Sequence, residues 1–566
     1  MSGEDNNCAK INDVFEELCR QLSINGQVAD ISEKFSLLNS NAERVKFASE
    51  LLEKYALYPE ILHREKDDEL SAKYRQEGNN AFKRKEDHTA WRLYTKSISY
   101  ATNNSECLAL AYANRSAVLY EKKLYKQCLE DITNAFKNNY PKRLHGKLIQ
   151  REERARELQL SETTDRYFER PSGLKEANRK IPSASAKVEI RRTKALGRHV
   201  VAKRKIKIGE IVVVEKPFVS VLLKAHLQDH CFACLTLRYS TIPCDRCVYA
   251  MFCSRTCQQQ AWEQHHKYEC PMLATLYGMD VSKMTLAALR IAFVAKKHYY
   301  DLDKYNNDND GGAIYKSQSY EEIHTLEANT HLRNSSDLFP KATTAAVVRY
   351  VADRTSPSFV SEFSRDDAAI IFDELLMHHQ QTAATNFHEI NECAEDEEGR
   401  YVNTSEIGAG AYAFLSLFNH SCSPNVVRYC HGTEIIVRAI KEIPADGELL
   451  DNYGYHYAVM RKADRKRELQ RQYLFNCECE ACVNDWPLYK NLPRSSTVDK
   501  SYDMPELESI MMGDRAEAIR ILTFLLGGHL KTVACNTMPE PNKLLADFQE
   551  TIKQCYALLG NRKPRF

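Results

Sequence analysis

Cys231-x2-Cys234, Cys244-x2-Cys247, Cys253-x3-Cys257 and His266-x3-Cys270 place eight metal-donor side chains between positions 231 and 270. No other stretch constrains the fold so strongly. A segment this short cannot build a hydrophobic core, so metal binding must supply its folding free energy. Zinc takes four N or S ligands in a closed structural site, and eight donors make two such sites. His265 has the wrong spacing and reads as a bystander. A second group, Cys477-x-Cys479-x2-Cys482, offers three thiols and lacks a fourth ligand. The chain holds 19 cysteines. Its opening residues, 1–7, lack the basic segment and apolar core of a secretory signal. Metal rather than disulfides therefore accounts for the thiols, and a setting in cytoplasm and nucleus is expected.

A chain of 566 residues is too long for one core and predicts several domains. Lys and Arg total 78 against 77 Asp and Glu, which leaves no global field for nucleic acid. No direct nucleic-acid partner is expected. No apolar run is long enough to span a bilayer, so no membrane partner is expected either.

Residues 1–65 read as amphipathic helices, with Val14, Leu18, Leu22, Phe35, Leu38, Phe47, Leu51 and Leu52 at helical spacing. From 66 to 160 a repeat appears. Gly78, Phe82, Ala90, Tyr94, Ser97 and Ile98 return at one constant offset as Ser116, Tyr120, Cys128, Ile132, Ala135 and Phe136. This resembles the tetratricopeptide (TPR) helix pair, whose period is about 34, with a slightly lengthened loop around Asn103-Asn104-Ser105 and a third helix beginning near Leu144. Some TPR domains clamp the acidic C-terminal tails of chaperones. Arg75, Asn79, Asn114, Lys147 and Arg151 match that pattern, and a solvated basic face is the alternative reading. Residues 161–186, with Pro171-Ser172-Gly173 and Pro182-Ser183, read as a linker.

Further on, Ser416-Leu417-Phe418-Asn419-His420-Ser421-Cys422-Ser423-Pro424-Asn425 is answered by Gly447-Glu448-Leu449-Leu450-Asp451-Asn452-Tyr453-Gly454. The pair resembles the two signature motifs of SET-domain protein-lysine methyltransferases. The Cys/His series resembles the MYND zinc finger. Together they resemble the SET and MYND domain (SMYD) methyltransferases, which use S-adenosylmethionine (SAM) and act on a lysine of a protein substrate, histone or otherwise. The resemblance implies an α+β multidomain fold: a β-rich SET domain split by a MYND finger, N-terminal TPR-like helices and C-terminal helices. It sets the SET N-terminal part at 187–223, the MYND finger at 224–272 and a helical insert with a flexible loop at 273–385, the loop covering 300–340. The SET core follows at 386–460, a post-SET zinc flap at 461–486 and C-terminal helices at 487–566.

The resemblance also implies site residues. Cys231, Cys234, Cys253 and Cys257 would hold one zinc ion, and Cys244, Cys247, His266 and Cys270 a second. Cys422 would complete a third with Cys477, Cys479 and Cys482, which makes three ions. Lys194, Leu196, Gly197, Asn386, Ser416, Asn419, His420, Tyr453 and Phe475 would contact SAM, and Tyr453 would be catalytic. In the family the turn at Lys194–His199 carries two glycines, but here the first is Ala195. Gln258, Gln260 and Trp262 fit the pattern by which MYND modules take proline-rich peptides; packing alone is the other reading for Trp262. The charged helix from Met460 to Tyr473 reads as a solvated face. Two functions stay open: a SAM-dependent protein-lysine N-methyltransferase, or a TPR/MYND adaptor with a weak or silent SET domain, which Ala195 favours.

Overall fold

The structure, a computed structural model, describes residues 9–161, 173–295, 314–357, 359, 367–395, 401–493, 515–527 and 540–563. Three helices lead: α1 (Ile11–Ile24), α2 (Val28–Ser36) and α3 (Asn41–Lys54). In α1 the buried set is Ile11, Val14, Leu18 and Leu22, the helical stripe visible in the sequence. Ser40 and Glu43 form a capping box that starts α3. These helices pack on residues that lie far later in the chain. The carboxylate of Glu374 accepts from Asn41 Nδ2 at 2.7 Å and from the Ala42 amide at 2.9 Å. Tyr58 stacks on Tyr350 at 4.1 Å.

Next come two helix pairs and a closing helix: α4 (Asp68–Lys83), α5 (Asp87–Tyr100), α6 (Glu106–Glu121), α7 (Tyr125–Lys137) and α8 (His145–Ser161). The step from the start of α4 at Asp68 to that of α6 at Glu106 equals the step from α5 at Asp87 to α7 at Tyr125. It is also the offset of the sequence repeat. Gly78 lets α4 and α5 approach closely, since a Cβ there would lie 2.7 Å from the Tyr94 ring. Behind this array sits the Cys/His module. Arg115 and Asp131, both fully buried, pair at 2.7 and 2.8 Å. Arg115 also donates to the Thr241 carbonyl at 2.8 Å, and Ser240 Oγ donates to Asp131 at 2.6 Å. Trp91 Nε1 donates to the Tyr239 carbonyl at 2.9 Å.

The strands in chain order are β1 (Val188–Thr193), β2 (Gly197–Ala202), β3 (Ile211–Glu215), β4 (Ser220–Leu222), β5 (Ile242–Pro243), β6 (Met251–Phe252), β7 (His388–Glu395), β8 (Tyr401–Gly410), β9 (Asn419–His420), β10 (Val426–His431), β11 (Glu434–Ala439), β12 (Leu450–Asp451) and β13 (Asn561–Lys563). They form small sheets: β1-β2, β10-β11-β3, β12-β9, β13-β7-β8-β4, and β5-β6 inside the Cys/His module. Gly408 permits the β4–β8 contact, because a Cβ there would sit 2.3 Å from the Val221 carbonyl oxygen. Helices Arg515–Gly527 and Lys543–Leu558 pack on β10 and β11, with Tyr556 stacked on Tyr429 at 5.8 Å. Among the described residues no helix is long and apolar enough to cross a membrane.

Two expectations need correction. The flexible loop assigned to 300–340 does not extend that far. Residues 320–324 are helical, and a long helix starts at Ser335, where Asn334 Oδ1 accepts from the Asp337 amide at 3.0 Å. The Asn306–Gly312 segment lies outside the described residues. The linker assigned to 161–186 is structured in its described second half. Ile181 and Ala184 are buried, and Ser185 donates its amide to the Val212 carbonyl. Apolar side chains inside a Pro/Ser-rich stretch found an adjacent strand to cover them.

Candidate active site and metal centres

The two motifs of the SET-like core meet as neighbouring strands. β9 and β12 pair in parallel, with Asn419 opposite Leu450 and His420 opposite Asp451. Asn425 locks the crossing: its Nδ2 donates to the Glu448 carbonyl, its Oδ1 accepts from the Leu450 amide, and its own amide donates to the Leu450 carbonyl. Asn452 Nδ2 donates to the Ser421 carbonyl at 2.9 Å. The amide side chains of these short asparagines are therefore spent holding one segment to the other. Strand β2 lies alongside, since Leu449 donates its amide to the Val200 carbonyl.

This crossing positions the reactive side chains. Asn419 Nδ2 donates to Glu448 at 2.7 Å. His420 is fixed through both ring nitrogens: Nδ1 accepts from the Tyr453 amide at 3.1 Å, and Nε2 lies 3.4 Å from Cys422 Sγ. Burial pushes its pKa down to about 4, so the ring is neutral. Tyr453 donates its hydroxyl to the Phe418 carbonyl at 2.6 Å. Burial raises the phenol well above its usual value, so it stays protonated. Tyr473 and His420 flank Tyr453 at 4.7 and 5.1 Å between ring centroids, and Phe475 lies 6.1 Å from His420.

A second wall assembles from distant segments. Ser416 Oγ donates to the Asn386 carbonyl at 2.8 Å, and Asn386 Nδ2 donates to the Glu327 carbonyl at 2.8 Å. Arg198 donates to the Thr325 carbonyl at 2.6 Å, which ties the β1–β2 turn to the same wall. Gly197 takes φ +63° in that turn, whereas Ala195 does not take a positive φ. Lys194 and Leu196 stand exposed at the turn tip, and among the described residues neither bonds to the other predicted cofactor contacts.

The thiols gather into the three sets named from the sequence, each with donor atoms within 4.8 Å of one another. Cys234–Cys253 and Cys253–Cys257 span 3.7 and 3.5 Å, Cys244–Cys270 spans 3.8 Å, and Cys422 lies 4.0 Å from Cys477 and 3.6 Å from Cys482. His266 Nε2 lies 3.3 Å from Cys244 and 3.7 Å from Cys247. These separations are far too long for a disulfide. They match the edge of about 3.8 Å that four Zn–S bonds of about 2.3 Å impose on a tetrahedron. The donor sets fit zinc. His265 stands outside them and bonds Glu269 at 3.0 Å, which Arg290 grips with two nitrogens at 2.8 Å.

One reading of the sequence fails here. Arg465 is not on a solvated face. It is 1% exposed, and its guanidinium donates to Cys422 Sγ at 3.1 Å and to Cys482 Sγ at 3.6 Å. Four thiolates around one divalent ion would leave net negative charge, which this arginine is placed to offset. Glu448 and Tyr473 were likewise not assigned roles from sequence. Glu448 lies inside the second motif and could have been found there; Tyr473 carried no local signal.

A SET domain model matches residues 197–454, the span that holds the paired motifs and the Cys/His module. The chain is 28% identical over 556 residues to Protein-lysine N-methyltransferase SMYD4 of Danio rerio, covering 83% of this chain and 71% of that protein. The Homo sapiens protein of that name is 26% identical over 545 residues, 74% of this chain and 68% of its own length. N-lysine methyltransferase SMYD2 of Homo sapiens is 25% identical over 330 residues, 57% of this chain and 64% of its own. The chain is thus similar to SMYD methyltransferases over most of its length. The longer match to the SMYD4 proteins takes in the helices ahead of the SET region.

Those helices carry the predicted basic and amide side chains. Asn79 Oδ1 accepts from Asn114 Nδ2 at 2.7 Å and from the Tyr94 hydroxyl at 2.9 Å. Arg151 is committed internally, donating to the Ala113 carbonyl and Ser116 Oγ at 2.8 Å each. Lys147 is exposed. In the Cys/His module Trp262 is half-buried with the Arg246 guanidinium over its ring at 4.8 Å, while Gln260 is exposed and Gln258 Nε2 donates to the Pro243 carbonyl.

Proposed function

We propose that this protein is a SAM-dependent protein-lysine N-methyltransferase of the SMYD kind, acting on histone or non-histone proteins. The parallel pairing of Asn419–His420 with Leu450–Asp451 carries this reading, because it brings Tyr453 beside the first motif. When bound, SAM supplies a methyl group on a positively charged sulfur. Asn419, His420, Ser416, Asn386, Phe475 and the Lys194–Gly197 turn would hold it, and the half-buried polar edge beside aromatic rings suits a nucleoside with a charged amino-acid tail. The chain's own contribution is orientation and environment. Tyr453 and Tyr473 desolvate an entering lysine amine, which lowers its pKa toward the neutral, nucleophilic form. A tyrosine held protonated donates and does not act as base, so the amine's proton leaves through water.

Three zinc ions fill the thiol sets, two in the Cys/His module as a MYND finger and one between Cys422 and the Cys477–Cys482 flap. Soft thiolates with imidazole at tetrahedral spacing support zinc over harder cations. Calorimetric SAM titration, run beside transfer of labelled methyl to a panel of proteins, tests the enzyme reading. Saturable SAM binding with lysine methylation is expected. No SAM binding by the wild type would overturn it in favour of the adaptor reading, for which Ala195 is the supporting residue.

The TPR-like helices take acidic C-terminal tails such as those of chaperones, supported by Arg75, Asn79 and Asn114 on one face with Lys147 exposed. A peptide with a free acidic C-terminus should bind and its amidated form should not; equal binding rules out the clamp. Trp262 supports capture of proline-rich peptides by the zinc finger. The protein works in cytoplasm and nucleus, which tagged-protein imaging checks.

A further inference from the structure

A fourth group of metal-donor side chains lies outside the SAM site and outside the three thiol sets. Residues Lys224–His226 form a turn of 3-10 helix, and the His230 amide donates to the His226 carbonyl at 3.1 Å. The four-residue offset on a helical turn sets the two imidazoles on one side, with ring centroids 5.1 Å apart. Strand β7 brings up Glu392 from across the fold, and one donor atom each from His226, His230 and Glu392 lies within 4.8 Å of the others. His230 and Glu392 are buried, at 0% and 1% side-chain exposure, and His226 retains 14%.

The hydrogen bonds point the same way. His230 Nδ1 sits 2.7 Å from Asp229 Oδ1, and Nε2 sits 2.9 Å from Glu392 Oε2. A carboxylate on one imidazole nitrogen fixes the tautomer that turns the other nitrogen's lone pair toward a metal. A plain ion pair of His230 between two carboxylates would account for those two contacts alone. It leaves His226 unexplained: its Nδ1 is buried without a hydrogen-bond partner and lies 3.8 Å from Asp229 Oδ1. Burying an imidazole nitrogen without a hydrogen bond costs free energy, and a metal ion shared with the second imidazole and the carboxylate would recover it.

We propose that His226, His230 and Glu392 bind a first-row divalent cation, zinc by donor chemistry, with Asp229 orienting His230. Two imidazoles and one carboxylate form a three-ligand set that leaves zinc a fourth position, and the partial exposure of His226 gives the ion a way in. The site joins the entry of the Cys/His module, whose first thiol is the next residue, Cys231, to the middle of the β13-β7-β8-β4 sheet. It thereby fastens the zinc module to the SET-type core.

The test uses the full-length protein and two readouts. Zinc bound by nitrogen and oxygen donors alone is released to a colorimetric chelator without thiol modification, whereas zinc in the cysteine sets is released as the thiols are alkylated or mercurated. One equivalent released ahead of thiol modification is expected from the wild type. His226→Ala should lack that early equivalent and keep the thiol-linked ones, and zinc added back after mild chelation should raise the melting temperature of the wild type but not of His226→Ala. Release that tracks thiol modification from the first equivalent overturns the site, even if the variant fails to fold. So does an early equivalent that persists in a folded His226→Ala.

Discussion

The Tyr453 hydroxyl is held at 2.6 Å by the carbonyl of Phe418, the residue just before Asn419 and His420. That places a single polar atom at the meeting of both motifs. Tyr453→Phe removes only this oxygen and keeps the ring packed on Tyr473. We expect a loss of turnover of about 10²-fold, the size found when one preorganised polar contact is removed, with SAM affinity unchanged. Such a pattern marks an interaction made mainly in the transition state. Asn419→Ala should instead weaken SAM binding itself, because it also frees Glu448. Steady-state methyl transfer and calorimetry on the two variants separate these outcomes, and wild-type turnover in Tyr453→Phe would remove the catalytic assignment. Glu215 makes a prediction in pH. Its buried carboxyl faces the amides of Phe414 and Leu415 at 2.8 and 2.9 Å. Burial pushes its pKa up from 4.5 to about 7, against those amides, which lower it. Between those two values the folded state holds a proton that the unfolded chain has lost, so this group's contribution to stability is greatest below about 4.5 and falls as pH rises to about 7. Melting temperatures across that window should fall less steeply for Glu215→Gln than for the wild type.

At the scale of elements, the post-SET flap shows why some of this molecule could be read in advance and some could not. Cysteine spacing is set by the metal, so Cys477-x-Cys479-x2-Cys482 announces its purpose locally, and family likeness supplied Cys422. Arg465 gave no such signal. It stands among Arg461, Lys462, Lys466 and Arg467 in a helix that reads as highly charged, and it is the thiols of Cys422 and Cys482, brought over by the fold, that distinguish it from those neighbours. The same holds for the helix that starts at Ser335: its first turn is polar, and its Phe339 packs on Phe15 of α1 and Phe35 of α2, far away in sequence. Local chemistry was legible, and long-range pairing was not. Cys422→Ser should therefore remove one zinc equivalent and leave the other cysteine-bound ions in place, as elemental analysis would show. Arg465→Met keeps all four thiols but removes the compensating cation. Metal affinity at that site should fall by about 10–100-fold, the usual effect of losing an outer-shell partner, and a protease should cut the flap sooner. Unchanged zinc retention in Arg465→Met under chelator challenge would show that the arginine only packs there.

For the whole molecule, the N-terminal helices must be held to the Cys/His module and the core behind it. The repeat and its Cys/His neighbour meet through Arg115, which bonds Asp131 within the repeat and the Thr241 carbonyl across the interface. Both members of the ion pair are fully buried. Such a pair adds little net stability over apolar residues of the same shape, but breaking it leaves one charge stranded, at about 3–5 kcal/mol. Arg115→Met should therefore separate the two parts: an unfolding transition at lower temperature and rapid proteolysis between α8 and the Cys/His module. The active site lies elsewhere, so SAM binding measured below that transition should be unchanged. The double variant Arg115→Met/Asp131→Leu removes the stranded charge and should recover much of the lost stability. It should not recover all of it, because Ser240 Oγ and the Thr241 carbonyl lose their partners. Calorimetric melting of the wild type, the single and the double variant decides the matter. A single variant that melts with the wild type would mean that the helices and the zinc module are held together elsewhere.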